Sequence, residues 1–278
     1  MRVGIITGSG TYALPGFADA TARAVQTRFG AARVTEGTWA GVDVVHVSRH
    51  GDGHARLSSS VTHQANVVAL KEAGADCVLA VTVCGTLDPR LELGTLIVFD
   101  DLHFPANRLP DGSLCTLYTE PGERGRAHWI FDRPFSPPLR AALLQGAREA
   151  GHAVRDGGTY GHVDGPRFNT RSEIAQLQAA GVTAVSQTAG PETVLCGEAE
   201  LPYALVGFAT DYANGVPHDP TPVATLIELI GRSGAIFAQT LRATVGRIAA
   251  PPSPTGTFFR FDEPAEAGDA PTGRRNPR

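Results

Sequence analysis

Six polar side chains share one position in the pattern of this sequence: each sits at, or just after, the end of an apolar run. Ser9 lies in Gly8-Ser9-Gly10 after Arg2–Thr7. Arg49 and His50 follow Val42–Ser48, and Thr82 closes the run that begins at Asp76. Thr188 follows Thr183–Ser186, and Asp211 follows Tyr203–Thr210. A guanidinium is a planar fork of donors matched to two oxygens of one phosphate. With the hydroxyls of Ser9, Thr82 and Thr188 and the amides of the glycine loop, Arg49 makes a phosphate-sized donor set carrying one positive charge. Taken singly, most members have a second reading. Gly8-Ser9-Gly10 serves equally as a plain turn, and it matches neither the G-x-G-x-x-G nor the Gly-Lys-Ser/Thr loop of nucleotide phosphate sites. Thr82 and Thr188 also suit buried hydroxyls bonded to backbone. Arg49 is harder to explain that way, because an arginine after an apolar strand is rarely buried without a partner.

A second feature is the stretch from Gly157 to Thr170, Gly-Gly-Thr-Tyr-Gly-His-Val-Asp-Gly-Pro-Arg-Phe-Asn-Thr. It stands between two helix-like runs, about 138–150 and 171–180, where a plain connection needs only about 4–6 residues. Gly165-Pro166 punctuates the backbone. Thr170 has the position of an N-cap, with Glu173 three residues on as its capping-box partner. Phe168 is thus delivered by a turn to the entrance of a helix, either as a plug for the core or as a platform for a flat ligand.

Runs alternating between apolar strands and amphipathic helices position these residues. Strands are expected at 2–7, 42–48, 76–82, 95–99, 183–186 and 203–210, and helices at about 59–73, 138–150, 171–180, 191–200 and 222–247. Such alternation predicts a single α/β domain, with a mostly parallel or mixed twisted sheet flanked by helices. In open α/β sheets ligands bind beyond the carboxyl ends of the strands, which is where the six side chains fall. Residues 101–137 are polar and rich in Pro and Gly, and a loop of that length implies function or an interface. The domain is expected to end near 249, with 250–278 a flexible tail. A net charge of −4 gives no reason to expect nucleic acid or an anionic membrane as partner. No apolar run reaches the ~18 residues of a membrane span. Cys77, Cys84, Cys115 and Cys196 are scattered without a CxxC, which points to a reduced, cytoplasmic protein without a zinc site.

Together these segments resemble the trimeric purine nucleoside phosphorylase family, within it the methylthioadenosine phosphorylase branch. The matching residues are Ile5–Gly10, Ser48–Gly51 with His54, Ala65-Asn66 and Val81–Leu87. They continue with Gly158–Tyr160, Gly165–Phe168, Pro191-Glu192 and Ala209–Tyr212, in family order across residues 3 to about 245. The resemblance implies that Ser9, Arg49, His50, Thr82, Val83 and Thr188 hold inorganic phosphate as co-substrate. It implies that Phe168 packs on a purine with Asn169 beside it, that Asp211 faces N7 of the base as the catalytic acid, and that Gln187 lies by the ribose. It also implies a homotrimer in which Arg124-Gly125, Pro134-Phe135 and above all His128 reach the adjacent subunit, His128 closing the 5′ end of its site. No metal or organic cofactor is expected.

Several positions depart from the family pattern. Thr62-His63 stand where Asn-Tyr is usual, and Ser58-Ser59-Ser60 replaces a proline. Ser186-Gln187-Thr188 stands for Asn-Met-Thr, so an amide replaces the methionine over the sugar. Ala213 replaces the second acid of Asp-Tyr-Asp. Retention of Asp211 favours a 6-aminopurine such as S-methyl-5′-thioadenosine, and loss of the second acid leaves room for a 6-oxopurine. His218 is placed to bond a polar 5′ substituent, or to face solvent as a loop histidine. Two further readings are a nucleoside hydrolase, against which Arg49, Thr82 and Thr188 speak, and a non-catalytic nucleoside-binding protein.

Overall fold

The apolar run Arg2–Thr7 forms strand β1 at the centre of the sheet, buried from Val3 onward. In the computed structural model, which describes residues 1–217 and 219–261, it lies parallel to both β4 (Val42–Ser48) and β5 (Cys77–Thr86). Side chains alternate between two cores along these strands. Ile6, Val45, Val47, Val78 and Ala80 face one cluster, and Val3, Ile5, Val44, Leu79 and Val81 face the other. Both faces are covered, so the strands read as continuous apolar runs rather than an alternating pattern. Helices α1 (His63–Glu72) and α4 (Ala189–Glu198) cover the first face. Helices α2 (Pro137–Glu149) and α5 (Val223–Val245) cover the second. Helix α3 (Arg171–Ala179) packs beside strand β11 (Val182–Ser186) over a small cluster of Leu87, Ile174, Val182 and Ala213.

β5 is the hub. Its first half pairs with β1 along one edge, and its last residues, Gly85 and Thr86, pair antiparallel with β11. β12 (Tyr203–Tyr212) runs parallel along the opposite edge, with a bulge between Ala209 and Asp211. β12 also pairs antiparallel with β6 (Leu96–Val98), which continues to β9 (Val154–Asp156). The other path runs from β11 through β10 (Thr159–His162) to β7 (Asp101–His103). The sheet is therefore mixed, the second of the two forms expected.

The structure adds elements that the sequence reading lacks. β2 (Ala18–Thr27) and β3 (Gly30–Trp39) form an edge hairpin through Arg28-Phe29, with Gly30 at φ 102°. Its outer strand is mostly exposed and built of Ala, Thr and Arg, which gives little strand signal. The 157–170 stretch is not one long loop, since β10 occupies Thr159–His162. The predicted strand 76–82 continues to Thr86 through Val83-Cys84-Gly85, and helix α1 starts only at His63 after a 3₁₀ turn at Ser58–Ser60.

The tail expected from residue 250 is in part ordered. Thr257–Arg260 form β13, antiparallel to β8 (Ala127–Ile130). Trp129 anchors this ribbon: its Nε1 donates to Thr255 O at 2.7 Å, and its ring lies where a Cβ on Gly197 would fall. Residues 262–278 lie outside the described residues. The polar 101–137 region is held down by Glu198, whose carboxylate accepts from Thr116 Oγ1 at 3.0 Å and Leu117 N at 2.5 Å. All four cysteines are free and buried. Among the described residues no helix is long and apolar enough to cross a membrane.

Candidate active site

The parallel strands deliver their carboxyl ends to one cavity of about 310 Å³, within the size range of small-molecule sites. Register explains the convergence. Thr7 pairs with Ser48, so Ser9 and Arg49-His50 leave the sheet side by side; β5 and β12 run on to Gly85 and Asp211, which also pair. Ser9, Arg49, His50, Thr82, Val83 and Thr188 all line the cavity. So do Phe168, Asn169, Gln187, Asp211 and Ala213.

Arg49 has the buried partner that its position demands. It is 1% exposed, and Glu192, in the first turn of α4, is equally buried. Arg49 Nε donates to Glu192 Oε1 at 2.6 Å, Nη2 donates to Oε2 at 2.8 Å, and Nη1 donates to Val81 O at 2.7 Å. A guanidinium carries five N–H groups, so one on each terminal nitrogen is left over on a side chain that lines the cavity. Tyr203 OH also donates to Glu192 Oε2 at 3.3 Å. The sequence held the signal in Pro191-Glu192, an acid opening an apolar helix, but the spacing of 143 residues hides the pair.

Thr188 occupies the N-cap position of α4, yet its side chain caps nothing. Its hydroxyl is left for the cavity, beside a helix N-terminus that favours negative charge. Thr82 Oγ1 lies 2.9 Å from Ser186 Oγ. His50 Nδ1 donates to Arg56 O at 2.9 Å, and the ring stacks on His54 with centroids 4.3 Å apart. A carbonyl only accepts, so Nδ1 carries the proton. Burial and the neighbouring Arg49 push the His50 pKa down to about 4, so the ring is neutral near pH 7. With Arg49 balanced by Glu192, this end of the cavity is rich in donors without large net charge.

The bulge in β12 re-aims Asp211, as bulges beside active sites do. Asp211 Oδ1 accepts from Thr210 Oγ1 at 2.8 Å, and Oδ2 passes over Gly85, where a Cβ would stand 3.0 Å away. Burial raises its pKa above the ordinary carboxylate value, only partly opposed by the Thr210 hydroxyl. Ala213 presents an apolar wall.

Phe168 is 60% exposed at this cavity, which rules out the core-plug reading. The loop before it is fixed from below. Thr170 and Glu173 form the expected capping box, and Arg167 forks onto Glu173 at 2.9 and 2.7 Å. Asn214 Nδ2 donates to Asn169 O at 2.7 Å, joining the loops that carry Asn169 and Asp211. Gln187 lines the cavity, but its amide is engaged within the protein, accepting from Ser58 Oγ at 2.9 Å and donating to Arg167 O at 3.2 Å. His128 lies elsewhere, on β8, stacked with Phe259 and edge-on to Phe261. His218 falls outside the described residues. Besides Glu192, the sequence reading assigned no site role to His54, Ser58, Ser186 or Asn214.

A family model, the phosphorylase superfamily, matches residues 2–247. The chain belongs to that superfamily. An S-methyl-5′-thioadenosine phosphorylase of Mycobacterium tuberculosis is 35% identical over 252 residues, covering 89% of each chain. A probable 6-oxopurine nucleoside phosphorylase of Thermococcus kodakarensis is 34% identical over 238 residues, covering 83% of this chain and 86% of that one. Among solved structures, the methylthioadenosine phosphorylase of Schistosoma mansoni in complex with adenine superposes with a TM-score of 0.81 at 30% identity, over 89% of this chain and 91% of that chain. The expected family, its methylthioadenosine branch and the mixed α/β fold agree with these likenesses.

Proposed function

We propose that the protein cleaves the N-glycosidic bond of a purine nucleoside by phosphorolysis, with S-methyl-5′-thioadenosine as the leading substrate. The products are the free purine and a 5-substituted ribose 1-phosphate. The observation that carries this reading is one cavity that holds both a donor-lined end and a buried carboxyl flanked by an exposed aromatic ring. The relatives named as methylthioadenosine phosphorylases support the choice of nucleoside.

In this reading phosphate takes the remaining N–H groups of Arg49, the hydroxyls of Ser9, Thr82 and Thr188, and the backbone at Val83. The guanidinium is held rigid by Glu192, so the anion is positioned without reorganisation during the reaction. Phe168 stacks on the purine and Asn169 lies at its edge. Asp211, protonated more readily than an ordinary carboxyl, donates to N7 as negative charge builds on the leaving base. A phosphate oxygen then bonds to C1′ as the bond to N9 breaks; positioning supplies much of the rate. This chemistry calls for no metal or organic cofactor.

A second reading, a 6-oxopurine substrate, is favoured by Ala213, whose apolar wall offers no acceptor for a 6-amino group. A 6-oxopurine phosphorylase is among the relatives. The deciding experiment measures base release from methylthioadenosine, methylthioinosine, adenosine, inosine and guanosine with and without phosphate. Turnover undiminished in phosphate-free buffer refutes phosphorolysis and makes the protein a hydrolase. Binding without turnover makes it a nucleoside-binding protein.

A homotrimer is part of the same proposal. The β8–β13 ribbon exposes Ile130, Phe259 and Phe261 around His128, while Phe168, Val223 and Ile227 expose an apolar rim elsewhere. Two different apolar patches on one chain suit a head-to-tail contact that closes into a ring, with His128 reaching the neighbour's site. Sedimentation equilibrium checks this against three times the 29.2 kDa chain mass.

A further inference from the structure

Three consecutive residues at the end of β11 serve two different parts of the site. Ser186 contacts Thr82 through its hydroxyl, and Thr188 presents an uncapped hydroxyl to the donor-lined end. Between them, Gln187 turns the other way and spans a gap. Its Oε1 accepts from Ser58 Oγ at 2.9 Å, and its Nε2 donates to Arg167 O at 3.2 Å. The direction of both bonds is fixed by chemistry: the Arg167 carbonyl only accepts, so the amide nitrogen must face it and the oxygen must face the Ser58 hydroxyl.

Gly165 shows how closely the loop, Gln187 and Ser58 meet. A Cβ there would overlap Gln187 Oε1 and stand 2.5 Å from Ser58 Oγ, so a side chain at 165 would displace the Gln187–Ser58 contact. Other ties share the work along this loop. Val163 N donates to Ser186 O at 3.1 Å, the Arg167 guanidinium forks onto Glu173, Asn214 Nδ2 donates to Asn169 O at 2.7 Å, and Thr170 caps the helix beyond. At the middle, Gln187 is the side chain from another element that holds the Arg167 carbonyl, immediately before Phe168.

We infer that Gln187 is a positioning residue, a latch that fixes the Phe168-Asn169 loop over the cavity by tying it to Ser58 and to the strand end that carries Thr188. The amide acts on the base side of the site through the loop. This rests on the phosphorolysis reading for its kinetic consequence, whereas the latch itself is independent of the reaction.

The test compares Gln187→Met, Gln187→Glu and Ser58→Ala with the wild-type chain by hydrogen–deuterium exchange and steady-state kinetics. Loss of two hydrogen bonds worth about 1 kcal/mol each predicts roughly 5- to 30-fold faster exchange in Gln187→Met at the hydrogen-bonded amides that flank the loop, Val163 and Thr170. Gln187→Glu keeps the Ser58 bond but sets a carboxylate oxygen against the Arg167 carbonyl, so its loop exchanges at least as fast. Ser58→Ala has an intermediate effect that disappears in the Gln187→Met background, because the shared partner is already gone. The nucleoside KM rises with the exchange rate while the phosphate KM stays near wild type, and Tm falls by about 4–8 °C, the worth of the two bonds. Unchanged exchange at Val163 and Thr170 in Gln187→Met overturns the latch, as does a parallel rise of both KM values. If the exchange results hold but no nucleoside is phosphorolysed by the wild type, the reaction assignment falls and the latch stands.

Discussion

Replacing Glu192 by Gln removes the negative half of a buried pair and leaves its geometry almost isosteric. Arg49 remains charged, since a guanidinium does not give up its proton in a protein. It is 1% exposed, with two of its donors aimed at the carboxylate. The glutamine oxygen can accept one of those bonds, but the amide NH₂ then faces the other N–H, donor against donor. Breaking a buried pair from one side costs about 3–5 kcal/mol, because an uncompensated charge stays inside. For a chain of this size each kcal/mol shifts Tm by about 2–4 °C, so Glu192→Gln should lower Tm by roughly 6–20 °C. Calorimetry on Glu192→Gln and on the double variant Arg49→Met/Glu192→Met measures this directly. The double variant should recover most of the lost stability, since two apolar side chains replace the pair, but should lose phosphate-dependent turnover. A Glu192→Gln protein within about 2 °C of wild type would show that Arg49 is not held by this carboxylate. A double variant that retains phosphate-dependent turnover would refute the role given to Arg49.

Asp211→Ala should lower kcat by about 10²–10⁴ while leaving the fold intact, measured by base release and circular dichroism. Because burial raises the Asp211 pKa, the folded state holds its proton more tightly than the unfolded chain. That contribution to stability is present at low pH and fades as pH rises through the raised value, so Asp211→Asn should flatten this part of the Tm–pH profile. His46 and His162 behave oppositely, with pKa values pushed down by burial from about 6.5 to about 4 and about 3. Their contribution is complete above about pH 6.5 and is lost as pH falls toward 4 and below, and His162→Phe, beside Phe104, should make that acid loss shallower. Gly197→Ala should push the Trp129 ring off α4 and loosen the β8–β13 ribbon, read as a change in tryptophan fluorescence and a lower Tm.

Strand ends followed by Ser9, Arg49-His50 and Thr188 were legible in the sequence, because a strand buried on both faces must be continuously apolar and its first polar residues emerge beyond its end, whereas Thr82 and Asp211, expected just past strand ends, lie within β5 and β12, which run on to Thr86 and Tyr212. The capping box at Thr170 and Glu173 was legible for a similar reason: it is a local hydrogen-bond exchange written in four consecutive residues. Pairings set by distance in sequence were not. Arg49 meets Glu192 only because α4, packed against β5, β10 and β12, brings its first turn to the residue that follows β4, and Ser58 meets Gln187 only because the turn before α1 lies against the end of β11. The bulge that turns Asp211 over Gly85 leaves no mark in composition, since it is one extra residue in a strand whose side chains are all permissible either way. Phe168 shows the division most clearly. Its position before a helix cap is written in the sequence, but whether it faces the core or the cavity depends on where the Gly165–Arg167 backbone is held. Contacts from Gln187 and Ser58, remote in the chain, decide that.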